Sequence, residues 1–297
     1  MSEPRLDLVE VDMAELQALK EEFDRKGYVR VRQALATEVV LNLIQTIDEL
    51  RLTLSEHPHA NKVANGLNVR PVIDKHKVFR ELLIAPRTFA AVAYLLGHYS
   101  IQLQQSNLIE AYRSEETRLT GWHSDGGVPT IGVGGVRAFG SLKVAYFLKD
   151  LLEENMGNLM LVPGSHQVAG APAFDGIDPV AAEVMKVAAG DAVIFQQGVW
   201  HASAPNFTDQ ARMALYYGYS YRILRPVDYQ RMPERVLAQC SPVERQLLGE
   251  PITHQGYYVP TDDDVPLKPW FERHFGSPAD RGELDHVGKV SLLDTTL

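Results

Sequence analysis

The chain has 297 residues, 45% hydrophobic and 23% charged, an ordinary balance for a globular protein that buries a real core. Its 29 basic and 38 acidic residues give a formal net charge of −9, which argues against nucleic acid or an anionic membrane as partner, since both demand a basic face. The single cysteine, Cys240, excludes an internal disulfide and any multi-thiolate metal site.

The N-terminus (MSEPRLDLVEVDMAEL) is acidic and shows no apolar signal core. No apolar run approaches the roughly 18 residues of a membrane span. The expectation is one cytoplasmic domain over residues 1–297 that does not engage membranes; oligomeric state is not legible. Within it, residues 1–100 read as a mainly helical brace with a short strand, 101–225 as a β core, and 226–297 as a C-terminal helix and extended tail. Leu16, Leu19 and Phe23 recur at helical spacing, and Gly27 suits a left-handed stop. A short strand is expected over 28–32. Thr37 is the expected N-cap of a helix carrying Val40, Leu43, Ile44, Ile47, Leu50 and Leu54. Pro86 opens a further helix with Phe89, Val92, Leu95 and Leu96 on its apolar face and Gly97 at its end.

Beyond Ser100 the pattern turns to strands, at 101–112, 138–148, 159–162, 192–195 and 211–223. Helices first and antiparallel-looking strands second give an α+β chain with a mainly β core, helices backing a double-sheet barrel. Val128–Val136 is Gly-rich but lacks the order of a phosphate cradle, and reads as a loop. The last fifty residues carry Pro251, Pro260, Pro266, Pro269 and Pro278 beside an Asp262–Asp264 run, which predicts a loose tail.

The chemistry concentrates at Trp122-His123-Ser124-Asp125. On an extended segment, residues two apart share a face, so His123 and Asp125 could chelate one ion together. His201, in GDAVIFQQGVWHASAPN, supplies a second imidazole at a strand end. Two histidines and one carboxylate make the facial triad of iron(II) oxygenases. Eleven residues past His201, Arg212 sits in the apolar strand ARMALYYGYSYR. A guanidinium there is costly without an anion, and a carboxylate of 2-oxoglutarate is a fitting one. Ser203 should share the His201 face and add a hydroxyl.

These motifs, together with GNLMLVPGSH at Gly157–His166, resemble the phytanoyl-CoA dioxygenase family of Fe(II)/2-oxoglutarate oxygenases over roughly residues 10–225. The resemblance implies a double-stranded β-helix (a cupin-like jelly roll) braced by helices, with His123, Asp125 and His201 on iron. It implies Arg212 and Ser203 on the distal carboxylate of 2-oxoglutarate, with Gln105 and Asn107 as further candidates for that cosubstrate. It also implies oxygen as cosubstrate, succinate and CO2 as coproducts, and hydroxylation of a C–H bond in a small molecule or secondary metabolite. Asp125 stands where halogenases of this broad class have Gly or Ala, which argues against halogenation.

Blander readings stay beside these. A cupin-like metal enzyme without 2-oxoglutarate, or a metal-holding jelly roll without activity, would use the same triad. Arg212 could instead pair with Asp191 or Asp209. His166 is expected to end a turn outside the barrel, Lys143 to point outward into solvent, and Trp122 and Trp200 to pack. Tyr216, Tyr217, Tyr219 and Tyr221 are expected mostly in core and surface. His57, His59 and His76 show no ligand spacing.

Overall fold

The computed structural model describes residues 5–56, 66–115, 121–125, 140–168, 170–250 and 262–277. The Gly-rich 128–136 stretch, His57 and His59, and Pro251, Pro260 and Pro278 lie outside the described residues.

Helix α1 (Met13–Lys26) starts on Asp12, whose carboxylate accepts from the backbone N–H groups of Ala14 and Glu15. It stops where expected, at Gly27 with φ +85°. Strand β1 (Tyr28–Val31) follows, then α2 (Thr37–Ser55). The N-cap of α2 is Ala36 with no side-chain bond, so Thr37 is a helical residue and not the cap. Strand β2 (Gly66–Val69) is a second strand in the helical brace, four residues too short to show a period. Helices α3 (Lys77–Arg80) and α4 (Phe89–Leu96) complete this part, α4 beginning after the turn at Pro86 and ending on Gly97 with φ +68°.

The core strands are β3 (Ile101–Ala111), β4 (Ser141–Phe147), β5 (Leu159–Leu161), β6 (Phe174–Asp175), β7 (Asp178–Pro179), β8 (Glu183–Val184), β9 (Ala192–Gln196), β10 (His201–Ser203) and β11 (Arg212–Tyr221). They form an antiparallel six-stranded sheet in the order β1-β9-β4-β11-β3-β2, a three-stranded sheet β10-β5-β8 and the hairpin β6-β7. The two larger sheets enclose one apolar layer, in which Leu159 and Leu161 meet Ala145, Phe147, Val193, Phe195, Ala214 and Tyr216. This is the jelly-roll core that the strand pattern predicts.

Period-two alternation sends the other residues of the large sheet to the helices. Leu142, Val144, Tyr146, Ile194, Leu215, Tyr217 and Tyr219 pack there with Leu43, Ile47 and Phe89. Each such fully buried side chain contributes about 1.5–3 kcal/mol. Helices α5 (Glu234–Leu237), α6 (Pro242–Leu247) and α7 (Lys268–Phe275) close the chain. The expectation of a loose tail needs correcting over α7. Its Trp270, Phe271 and Phe275 join the helix-side core, and Trp270 lies 5.9 Å from Phe89, ring to ring. Among the described residues no helix is long and apolar enough to cross a membrane.

Candidate active site

The three predicted metal donors come together at one mouth of the barrel. The backbone explains why: His123 forms an isolated bridge with His201, its N–H donating to the His201 carbonyl (3.1 Å) and its carbonyl accepting in return (2.8 Å). Asp125 is tied down two residues on, its N–H donating to the Gln197 carbonyl at 2.9 Å. The extended His-x-Asp segment thus lies alongside the start of β10 and aims its two side chains the same way.

Both imidazoles are oriented by their own backbone. His123 Nδ1 donates to the Gly121 carbonyl at 2.5 Å and His201 Nδ1 to the Val199 carbonyl at 2.9 Å. A carbonyl only accepts, so the proton is on Nδ1 in both rings and each Nε2 lone pair is left over for a ligand. Those Nε2 atoms face Asp125, at 3.8 Å from Oδ1 for His123 and 3.5 Å from Oδ2 for His201. One donor atom from each of the three residues falls within 4.8 Å of the others, the spread of a single-ion site. Burial pushes His201 down to about 4, against the pull of Asp125, which keeps it in the neutral form that ligates. Burial alone would raise Asp125, but the Lys143 ammonium outweighs it and holds the carboxyl below the usual range.

Lys143 corrects an expectation. It does not point outward: its Nζ lies 2.6 Å from Asp125 Oδ2, with only 16% of the side chain exposed. Lys143 is opposite Gly218 on β11 and Phe195 on β9, and shares parity with Ala145 and Phe147, which face the barrel interior. A side chain at Gly218 would put its Cβ 2.8 Å from Gln105 Cγ, so glycine there makes room between the two polar residues.

Behind the triad the barrel holds a cavity of about 770 Å3 that reaches Arg212, Ser203, Gln105 and Asn107 as well as the three donors. Arg212 is 3% exposed, and Asp191 and Asp209 do not pair with it. Asp191 accepts from Arg30 (2.5 Å) and Asp209 from Arg113 (2.6 Å). Arg212 Nη1 donates to the Tyr216 hydroxyl at 3.2 Å, and its buried Nε has no partner. The amide Nε2 of Gln105 and Oδ1 of Asn107 are likewise buried without partners. Groups left so are costly, by about 1–3 kcal/mol each, unless a ligand meets them. The donor set fits a divalent first-row ion, and the guanidinium fits a carboxylate.

The remaining sequence candidates are structural. His166 Nε2 donates to the Asp24 carbonyl at 3.1 Å and docks the end of α1. His76 Nδ1 accepts from Val78 N–H at 3.3 Å. Trp122 Nε1 donates to Asp178 at 3.0 Å, and Trp200 packs edge-on against Phe174. Lys143 lines the pocket together with Arg70 and Tyr216, and of these it is Lys143 that sequence reasoning turned the wrong way. The parity of Lys143 with Ala145 and Phe147 was the available signal, but both faces of β4 are buried and no polar face marks the inside.

An antiparallel double sheet, two oriented imidazoles and a carboxylate at its mouth, and a buried guanidinium behind them make a site for a divalent metal and a carboxylate-bearing ligand. The chain belongs to the phytanoyl-CoA dioxygenase family (PhyH), whose pattern matches residues 23–214. It is 27% identical over 209 residues to "Dioxygenase af480" of Aspergillus fumigatus, a match covering 67% of this chain and 63% of that protein, so the chain spans under two thirds of its relative's length. Its fold is similar to that of the epimerase SnoN in complex with Fe3+, alpha ketoglutarate and nogalamycin RO, at 21% identity and TM-score 0.58, covering 72% of this chain and 88% of SnoN. HygX from Streptomyces hygroscopicus, with nickel and 2-oxoglutarate bound, is similar at 14% identity and TM-score 0.58, covering 73% and 89%.

Proposed function

We propose that this protein is an Fe(II)/2-oxoglutarate-dependent dioxygenase that oxidises, by default hydroxylates, a C–H bond of a small molecule, releasing succinate and CO2. The observation that carries the reading is one cavity holding both the His123–Asp125–His201 donor set and the buried Arg212, which has no carboxylate partner among the described residues.

Iron(II) with 2-oxoglutarate would supply the oxidising chemistry, activating oxygen at the cost of the keto acid. The chain's own residues have narrower tasks. His123, Asp125 and His201 hold the metal, and Gly121 and Val199 fix the two rings through their Nδ1 protons. Arg212 and Ser203 bind the distal carboxylate of 2-oxoglutarate, and the Tyr216 hydroxyl steadies the guanidinium. Gln105 offers its unpartnered Nε2–H groups to the same cosubstrate from β3, beside Asn107, whose Nδ2 donates to Asn68 Oδ1. Phe195, whose ring lies 5.0 Å from that of His201, and Leu159 form the apolar floor that keeps bulk water from the metal side. The fold positions the reacting bond within reach of the centre, which is the protein's main contribution to rate.

The binding of nogalamycin RO by SnoN and of hygromycin B by HygX supports a small-molecule substrate for this cavity too. Formation of succinate from 2-oxoglutarate by the iron-loaded protein in air, even without substrate, tests the reading. Wild type is expected to form it, and His201→Ala is not. Equal amounts from both would sink the assignment.

A further inference from the structure

The cavity of this strongly acidic chain is lined by positive charge. Arg70, Lys143 and Arg212 all border it. Of the acids there, Glu110 is already held by Arg51, whose Nη1 donates to both its oxygens at 2.7 and 2.9 Å. That leaves Asp125. If the site works as an oxygenase, a divalent metal and Arg212 bring three positive charges, which the dianion 2-oxoglutarate and Asp125 offset. Lys143 and Arg70 are then uncompensated. Lys143 already has a carboxylate beside it, Asp125 Oδ2 at 2.6 Å. Arg70 is different: part-buried, it makes no ion pair among the described residues. The acid that feels it, Asp228, is pushed up to about 7, by burial first, and spends Oδ2 on the Ser106 N–H.

Arg70 also has a defined place. It immediately follows β2, where Val69 pairs with Leu108 and Asn68 with Ile109, so it lies at the level of Asn107 on the edge of the large sheet. Asn68 lines the same wall, with its Oδ1 3.5 Å from Asn107 Nδ2. Arg212 lies two strands over, on β11 opposite Ala111, at the other end of the cavity wall. Among the described residues the cavity therefore has two separated guanidiniums, and 2-oxoglutarate, with one carboxylate on the metal, has only one carboxylate left to give.

We propose that the substrate is an anion, a small molecule bearing a carboxylate, phosphate or sulfate group, and that Arg70 binds that group. This rests on the oxygenase reading above. A guanidinium at the edge strand can take such a group bidentately, with the Asn68 amide as a neighbouring donor. A molecule held by its charged end at β2 then extends inward across Asn107 and Gln105 toward the mouth where His123 and Asp125 stand. Arg70 is in this account a specificity residue: neutral isosteres of the true substrate lose the contact, and a site built for a polar group rejects what lacks it.

The test uses full-length protein loaded with Ni(II) and saturated with 2-oxoglutarate, so that Arg212 is occupied. Matched pairs, hexanoate with hexanamide and benzoate with benzamide, together with phenyl phosphate, are titrated and read by thermal shift. The wild type should bind the acids and phenyl phosphate at least about tenfold more tightly than the amides. Arg70→Gln should lose that preference, Arg70→Lys should keep part of it, and 2-oxoglutarate affinity should change less than about twofold in either. Acids and amides binding alike to wild type, or neither binding, overturns the proposal, as does a preference that survives in Arg70→Gln. A tenfold loss of 2-oxoglutarate affinity in Arg70→Gln also overturns it, by making Arg70 a cosubstrate residue. Failure of 2-oxoglutarate to bind wild type at all is a separate result, and refutes the oxygenase reading itself.

Discussion

Strand β11 presents two opposite environments, one on each face. Toward the helices it sends Leu215, Tyr217 and Tyr219, and the polar atoms there are satisfied: Tyr217 Oη donates to the Phe79 carbonyl at 2.7 Å and Tyr219 Oη to the Leu83 carbonyl at 3.0 Å. Neighbouring Tyr146 shares a 2.7 Å bond with Thr88. Toward the barrel it sends Arg212, Ala214, Tyr216 and Gly218, and there the accounts do not close. Arg212 Nε lacks a partner, as do Gln105 Nε2 and Asn107 Oδ1 on the next strand. Both faces are buried to a similar degree. What separates scaffold from site is therefore polar satisfaction, not burial: one face is finished by the chain itself and the other waits for a ligand.

The strongest way to break this contrast is at the metal donors. Asp125→Ala should fold normally yet lose metal affinity by on the order of 100-fold or more, measured by competition with a chromogenic chelator. Retained affinity would show that the cluster is not the metal site. Next comes a pair of changes on the two faces of β11. Leu215→Ala should cost about 2–5 kcal/mol of stability by leaving a cavity in the helix-side core. Arg212→Met should cost none or stabilise the ligand-free protein, since a buried cation without a partner is removed, while 2-oxoglutarate affinity falls about 10–100-fold. Denaturant midpoints and 2-oxoglutarate titrations of the two variants separate the faces, and a destabilised Arg212→Met would blur them.

Smaller effects sharpen the picture. Lys143 competes with a metal for Asp125, so Lys143→Met should tighten metal binding by on the order of tenfold and lower the stability of the metal-free protein. The rise in melting temperature on adding Ni(II) should then be larger than in wild type; a smaller rise would mean that Lys143 instead supports the bound ion. Asp228 should leave a signature in pH. Its folded pKa is raised to about 7, burial being the main cause, so between roughly pH 4 and 7 the folded state holds a proton that the unfolded state has released. Stability from this group is present below that window and is lost as pH rises through it. Asp228→Asn should match wild type near pH 4 and exceed it by a degree or more in melting temperature at pH 8; equal pH profiles would show that the group ionises freely.

Much of this was legible in the chain. Gly27 and Gly97 mark helix ends because their left-handed φ is difficult for other residues, and the five expected strands announced themselves through apolar runs bounded by turn residues. His123 and Asp125 were legible because strand parity is enough to place two side chains together. His201 and Arg212 needed the order of motifs along the chain. What stayed hidden had no local period to show: β2 is four residues long and acquires its identity only by pairing with β3, and α7 lies among prolines that read as loop. Lys143 was misjudged because both faces of β4 are buried, so a single lysine carries no sign of which way it turns. The pairing of β2 with β3 is also what sets Arg70 at the level of Asn107 on the cavity wall.

The most direct test of the central claim is an anaerobic titration of the iron(II)-loaded protein with 2-oxoglutarate, followed through the weak visible charge-transfer band of the chelate, in wild type and Arg212→Met. The account predicts a saturable band in wild type, and in Arg212→Met the same band reached only at about 10–100-fold higher 2-oxoglutarate. Iron bound with no band in wild type, or identical titrations in the two proteins, would contradict it.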